Sequence, residues 1–191
     1  LHVRSSLTWE HGTWVTSEEP AMEDPIISGV VTDASEAKLT VLGVPDRPGI
    51  SATLFEPLAE ANVNVDMIVQ NTSTEGTTDI SFTVPSADLK VADEIVSRIA
   101  SEMSAAGVTQ DSEIAKVSLV GAGMKTSPGI AARMFRCLAE AAVNIEMIST
   151  STIRISVVIA ASDLETAARS LHTEFDLDSG ESYSAPLPER K

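Results

Sequence analysis

The chain of 191 residues is short of several things at once: it has one cysteine (Cys137), three scattered histidines (His2, His11 and His172) and 4% aromatic residues. One cysteine closes no internal disulfide, and histidines spread this thinly offer no Cys/His zinc spacing, so a metal site is not expected. Positive charge is scarce as well, with 13 Lys+Arg against 28 Asp+Glu and a formal net charge of −15. Such a chain repels phosphate backbones and anionic lipid, which excludes nucleic acid and membrane surfaces as expected partners. No run approaches the roughly 18 apolar residues of a membrane span. No basic segment followed by an apolar run marks a secretory signal, and a cytoplasmic protein is the expectation. The first residue is Leu1 rather than Met, which reads as a piece of a longer chain or a processed product.

Catalytic and nucleotide motifs are missing too. Gly121-Ala122-Gly123 follows a strand-like run, but neither a third glycine at GxGxxG spacing nor a Gly-Lys-Ser/Thr comes after it. Cys137 sits in an apolar helical stretch without a nearby histidine and reads as a core thiol. Met67 and Met147 read as core filling, and His172 reads as a partner of a helix C-terminus. No set of residues forms an acid, base or nucleophile constellation, so no catalytic residue is assigned.

What the sequence does contain is a repeat. Residues 48–68 (PGISATLFEPLAEANVNVDMI) and 128–148 (PGIAARMFRCLAEAAVNIEMI) match without gaps at an offset of 80, with 13 of 21 positions identical. The match resumes at offset 75, where Asp79-Ile80-Ser81 faces Arg154-Ile155-Ser156 and Asp88-Leu89 faces Asp163-Leu164. Two copies of one unit are present, the second with a tighter turn. With 43% hydrophobic residues the chain can build a core for each.

Periodicity gives the plan of a copy. Lys38–Val44 and Lys116–Gly121 read as strands ending in turn residues. Pro48 and Pro128 suit the first turn of a helix. Ile50, Leu54, Phe55, Leu58 and Ala61 recur at helical spacing, as do Ile130, Met134, Phe135, Leu138 and Ala141. Asn62-Val63-Asn64 and Val143-Asn144 close these helices, asparagine accepting the turn conformation. Second strands are expected at about 65–71 and 145–151. A hairpin turn at Thr74–Thr77 leads to a third strand at 79–84, matched by 153–159, and second helices follow at 87–105 and 163–173.

Strand–helix–strand–strand–helix wants a fourth strand to become a ferredoxin-like βαββαβ unit. The first copy can use residues 108–113, a polar edge strand, whereas residues 176–191 after the second copy are polar, proline-bearing and tail-like. The unclaimed run Ile26–Val31 is therefore expected to complete the second copy. The resulting fold class is α+β: two ferredoxin-like units in tandem, antiparallel sheets with helices on one face, the first inserted in the second. The expected organisation is a linker at 1–25 with at most a short strand pair, unit one at 38–113, unit two at 26–34 plus 114–175, and a tail at 176–191.

In both copies a strand ends in a loop and a Pro-Gly opens a helix, Pro45–Gly49 and Lys125–Gly129. The free N–H groups of such a helix start receive a carboxylate, and glycine allows close approach. Asp46, Asp66 and Glu146 could accept an ammonium, and Asn64, Gln70 and Asn144 add polar contacts. An α-amino acid fits that combination. The plainer alternative is that these polar residues cap helices and nothing more.

The residues also carry a resemblance. Ser35–Val44, Asp46–Gly49, Asn64–Met67 and Val69–Asn71 resemble the first regulatory ACT domain of bacterial aspartate kinases. Lys116–Lys125, Pro128-Gly129 and Asn144–Ser151 resemble the second. The likeness runs over about residues 24–175, while Leu1–Ser6 resembles the end of a preceding kinase domain and Met22–Pro25 the start of a separately translated β subunit. The kinase signatures are absent, so the chain is not expected to transfer phosphate alone; ATP and Mg would belong to the family's kinase domain, and no cofactor to this chain.

The resemblance implies a module that senses end products of the aspartate pathway, binding threonine, lysine or both at ACT–ACT interfaces and inhibiting aspartyl phosphate formation. Its partners would be an amino-acid effector, a second copy in a homodimer through the ACT domains, and a kinase domain or α subunit. Carried onto this chain, a threonine-type site would use Asp46, Gly49, Ser51, Asn64 and Gln70, closed by Asn144 and Ile145. A lysine-type site would draw on Asp66, Ala131, Ser151 and Thr152. The family often has threonine where Ala131 stands and glutamate where Thr152 stands; losing that carboxylate removes a natural partner for a lysine ammonium, so threonine is the expected effector. The competing expectation is an architectural module that dimerises kinase subunits without sensing a ligand.

Overall fold

The computed structural model describes residues 2–3, 13–14, 27–71, 76–122 and 129–179. A short antiparallel pair, β1 (His2–Val3) and β2 (Thr13–Trp14), comes first. Then follow β3 (Ile27–Asp33), β4 (Glu36–Pro45), α1 (Ile50–Glu60), β5 (Ile68–Gln70), β6 (Thr77–Pro85), α2 (Leu89–Glu102) and β7 (Gly107–Asp111). The chain continues with β8 (Ile114–Gly121), α3 (Ile130–Glu140), β9 (Met147–Thr150), β10 (Arg154–Ala160) and α4 (Leu164–Glu174). Two four-stranded antiparallel sheets result, ordered β5-β6-β4-β7 and β3-β8-β10-β9.

The N-terminal strand β3 pairs antiparallel with β8, Val30 opposite Leu119. The second sheet is therefore built from segments on both sides of the first unit, which is inserted in it. Each sheet is covered by helices on one face. Ile80, Phe82 and Val84 of β6 alternate toward α1 and α2, meeting Leu54, Leu58, Val96 and Ile99 in the first core. Phe55 packs edge-on against Phe82, ring centroids 5.1 Å apart. Val117, Leu119, Ile155, Val157 and Ile159 meet Met134, Cys137, Leu138, Ala167 and Leu171 in the second core. Fully burying a side chain of this kind contributes about 1.5–3 kcal/mol, so each unit has its own hydrophobic drive. Cys137 is buried among them, and burial pushes its thiol pKa up, as a core thiol requires.

Several local features differ from the periodic reading. Helix α1 begins at Ile50, with Gly49 before it at φ 90°, so Pro48 precedes the helix rather than sitting in its first turn. The left-handed residue that ends α1 is Asn62 (φ 59°), but the equivalent after α3 is Ala142 (φ 58°), not an asparagine. A backbone bond from Val143 N–H to the Leu138 carbonyl holds that turn and offsets the strain. The second strands are shorter than expected, regular pairing beginning only at Ile68 and Met147, although Val65 and Ile145 already pack on their cores. Single 3-10 turns, Ser86–Asp88 and Ala161–Asp163, replace the first turns of the second helices. Leu177–Ser179 forms one more such turn, with Leu177 against the second core, where a tail was expected. Pro128, the Lys125–Ser127 loop, Gly123, the turn residues Thr74 and Glu75, and 180–191 lie outside the described residues.

Candidate functional site

The Pro-Gly turn of the first unit is aimed by a bulge in β4. The register of β4 against β6 shifts between Val41 and Val44, where Gly43 adopts φ 62° and its N–H donates to Asp79 Oδ1 at 2.8 Å. A Cβ at Gly43 would lie 2.9 Å from Ala106 Cβ, so the position needs glycine. Beyond the bulge, Asp46 N–H donates to the Gly76 carbonyl at 2.9 Å, tying the turn to the start of β6. Gly49 then leaves open space where a side chain would stand. Ser51, in the first turn of α1, donates through Oγ to Gln70 Oε1 on the edge strand β5, at 3.2 Å.

Asp46, Gly49, Ser51 and Gln70 thus share one end of the first unit, around a helix start whose first N–H groups face outward. Asn64 does not join them. It follows α1, and eleven residues at 1.5 Å rise put it about 16 Å away. Asn144 is exposed in the matching loop of the second unit, and Ile145 packs into that unit's own core. Among the described residues no hydrogen bond links either to the Ser51–Gln70 pair. At the equivalent end of the second unit stand Ala131, partly buried, and the Ser151 turn, whose N–H donates to the Arg154 carbonyl at 2.7 Å, with Thr152 exposed beside it.

Asp66 lies elsewhere, on the seam between the units. The helix-free faces of the two sheets meet there around Met67, Ile114, Met147 and Val158, with Val69 beside them. The two methionines therefore fill the joint between the units, not the core of either. Around this apolar centre the charges pair reciprocally. Lys38 of β4 bonds Glu146 of the second unit, and Lys116 of β8 bonds Asp66 of the first, Nζ to Oδ2 2.5 Å. Lys116 also bonds Glu36 Oε1 and lies 3.7 Å from Asp33 Oδ2. Its hydrogen bond from Lys116 holds the Asp66 carboxyl below the usual carboxylate range, against the effect of burial. Burial disfavours the Lys116 ammonium, but hydrogen bonds to Asp66 and Glu36 outweigh it and the pKa is raised. Asp33 is lowered chiefly by hydrogen bonds from Ser35. Asp66 and Glu146 are thus ammonium acceptors, as expected of their chemistry, but for lysines of this chain; the matching positions of Lys38 and Lys116 at the head of each first strand are the signal in the sequence.

Two other features have chemistry of their own. An open groove beside α4 is lined by Ala168, Arg169, His172, Thr173 and Asp178. Its polar groups serve each other: Thr173 donates to Asp178 at 2.9 Å, His172 Nδ1 is 3.7 Å from Asp178, and Arg169 pairs with Glu165. Arg133 lies 4.6 Å from the Phe175 ring and pairs with Glu174, clasping α3 to the end of α4. No group of three or more His, Cys, Asp or Glu suited to a metal ion occurs among the described residues. No helix among them is long and apolar enough to cross a membrane.

Comparison with known proteins agrees with this architecture. Family profiles described as ACT domain match residues 38–102 and residues 117–175. An aspartate kinase of Pseudomonas fluorescens is 49% identical over 93% of this chain and 43% of its own length. The chain thus spans less than half the length of the curated relatives it matches. A crystal structure of aspartokinase alpha and beta subunits superposes with a TM-score of 0.74 at 45% identity, covering 79% of this chain and 99% of that one. The ligand-free regulatory subunit of aspartate kinase from Thermus thermophilus gives a TM-score of 0.75 at 38% identity, over 78% of this chain and 98% of that one. Two ferredoxin-like units, one inserted in the other, their turn and helix signatures and these likenesses together place the chain in the aspartate kinase family, as its regulatory region of paired ACT domains.

Proposed function

We propose that the chain is the amino-acid-sensing part of an aspartate kinase, and that threonine is its effector. The observation that carries this reading is the Ser51–Gln70 pair beside the open space at Gly49. A ligand carboxylate is received by the free N–H groups at the start of α1, and Asp46 offers the anionic partner for its ammonium. The Ser51 hydroxyl and Gln70 amide then address a small polar side chain. Asn64, about one helix length away, can reach this end only from a neighbouring unit. Asn144 and Ile145, or Asn64 of a second copy, would close the site in an assembled dimer. The exposed edge strands β5 and β9 expose Ile68 and Ile148, which suits pairing with another copy.

Ligand binding at such a joint shifts the arrangement of units by its differential affinity for the two states. An attached kinase domain or α subunit would feel that shift as inhibition of aspartyl phosphate formation, in a cytoplasmic setting. Lysine is the less suited effector. Asp66 of the lysine-type set is held by Lys116, apart from Ala131, Ser151 and Thr152. Calorimetry on the chain with threonine, lysine, methionine and isoleucine tests the reading: heat with threonine supports it, and no heat with any of the four removes it.

A second reading is favoured by one observation in the second unit. Ala131 stands where the first unit has Ser51, and Thr150 where it has Gln70, so the polar pair is missing there. On this reading the second unit is architectural, supporting dimerisation without taking a ligand.

A further inference from the structure

The two units differ where their central strands cross. In the first, Val41 faces Ile80 and Val44 faces Thr78, so β4 carries one extra residue between them. Gly43 absorbs it at φ 62°, and its N–H is taken by Asp79 Oδ1 at 2.8 Å. An amide turned out of a ladder by a bulge needs an acceptor, and a carboxylate supplies a charge-assisted one. In the second unit β8 and β10 pair without a shift, from Ile114 opposite Ala160 to Val120 opposite Arg154. Gly121, the repeat partner of Gly43, donates instead to the Ile153 carbonyl at 3.0 Å, and Arg154 stands where the first unit has Asp79. The unit with a regular ladder is also the one with Ala131 and Thr150 in place of the Ser51–Gln70 pair. Bulge and polar pair occur together.

The start of β6 holds both walls of that site. The Gly76 carbonyl accepts from Asp46 N–H at 2.9 Å and fixes the Pro-Gly turn. Buried Thr78 donates through Oγ1 to the carbonyl of Asn71, the residue after Gln70. Asp79 is next in line and fixes the bulge from which the turn departs. Its side chain is exposed and takes no part in either core.

We propose that Asp79 is the positioning residue of the amino-acid site: its oxygen locks the β4 bulge and so sets where the Pro45–Gly49 turn presents the first N–H groups of α1. Asp79 touches no ligand in this scheme; it raises the fraction of molecules whose turn is ready. Its consequence for the ligand rests on the amino-acid-sensing reading, whereas its hold on the turn does not.

Two variants separate the acceptor from the charge. Asp79→Asn keeps a side-chain oxygen at the same reach and loses the charge; Asp79→Glu keeps the charge and moves the oxygen one carbon on. The threonine Kd of each is measured by calorimetry on the 191-residue chain, beside Asp79→Ala, at a temperature where all are folded. Asp79→Asn is expected within about threefold of the wild type, a neutral acceptor replacing a charged one. Asp79→Ala and Asp79→Glu are expected about tenfold weaker, as when the ready fraction falls to about a tenth. Ser118→Ala, which breaks the Ser118–Ser156 hydroxyl contact of the second sheet, controls for lost stability and should bind as the wild type does. Asp79→Asn as weak as Asp79→Ala, wild-type affinity in Asp79→Ala, or an equal loss in Ser118→Ala each overturns the proposal.

Amide NMR of the same proteins without threonine reads the turn itself. Asp79→Ala should move the Asp46, Gly49 and Ser51 N–H signals along with that of Gly43, Asp79→Asn should restore them, and Gly129 of the second unit should stay in place. Shifts confined to Gly43 contradict the proposal. Should Asp79→Ala not fold, Asp79→Glu takes its place in both measurements. If the wild type takes up no threonine, the effector reading falls and the amide shifts alone decide the role of Asp79.

Discussion

Lys116 of the second unit donates to Asp66 of the first at 2.5 Å, and Lys38 of the first reaches back to Glu146 of the second. The two pairs join equivalent positions of the repeat in opposite directions. They flank the apolar contact of Met67, Met147, Ile114 and Val158, so the joint is held by charge at its rim and by packing at its centre.

Breaking either pair should loosen the joint. The Lys38 and Glu146 side chains are 21% and 24% exposed, between the surface and buried cases. Lys38→Met or Glu146→Gln is expected to destabilise the chain by about 1–2 kcal/mol. The exchanged pair Lys38→Glu with Glu146→Lys should recover part of that loss. Urea unfolding of the wild type, Lys38→Met, Glu146→Gln and the double variant Lys38→Met/Glu146→Gln as a double-mutant cycle measures the coupling, and additive losses would show that the pair does not interact.

Acid should act through Asp66. Its folded pKa is lowered, so its contribution to stability is present above the unfolded value and is lost as the pH falls through the folded one. Below about pH 4 the wild type should lose stability more steeply than Asp66→Asn. Lys116 works at the other extreme: its pKa is raised, and its contribution is full below its unfolded value and lost only as pH rises through the folded one. Urea midpoints across an acid series compare the two proteins. Parallel acid profiles would mean that Asp66 is not selectively stabilised in its charged form.

Removing residues 1–35 should expose one side of β8 and withdraw Ile27 and Val30 from the second core. Hydrogen exchange is expected to quicken in peptides of β8, α3 and β10 well before those of β4, β6 and α1. Uniform quickening of both units would contradict the inserted arrangement.

The repeat made the architecture readable. Matched Pro-Gly, Ile and Leu positions located the helices, and the absence of a closing strand after α4 pointed back to residues 26–31. Period alone could not say what covers the helix-free faces. Met67 and Met147 look apolar in the chain, but their partners are in the other unit, and alternation reports burial without naming the neighbour. Ala142 at positive φ was equally hidden, since nothing in alanine favours that backbone. Ser51 and Gln70 are legible as polar residues of one end, and the structure joins them by a hydrogen bond. Asn64 belongs to the same expected set, yet the helix between keeps it at the far end of the same unit.

Gly49 holds φ 90° at the head of α1 with open space beyond its Cα. Gly49→Ala should destabilise the chain by about 1–2 kcal/mol, from backbone strain alone, and place a methyl group in the ligand space. A thermal scan with and without threonine separates the effects: a lower midpoint, and a smaller rise on adding the amino acid. An unchanged threonine response would move the ligand away from this helix start.

Titration of threonine into the chain by calorimetry, beside Gln70→Ala and Ser51→Ala, is the most direct measurement. The account predicts saturable heat with the wild type and binding at least about tenfold weaker in each variant, the loss of roughly one hydrogen bond to the ligand. Threonine heat that is indifferent to both substitutions, or no heat at all, would contradict it.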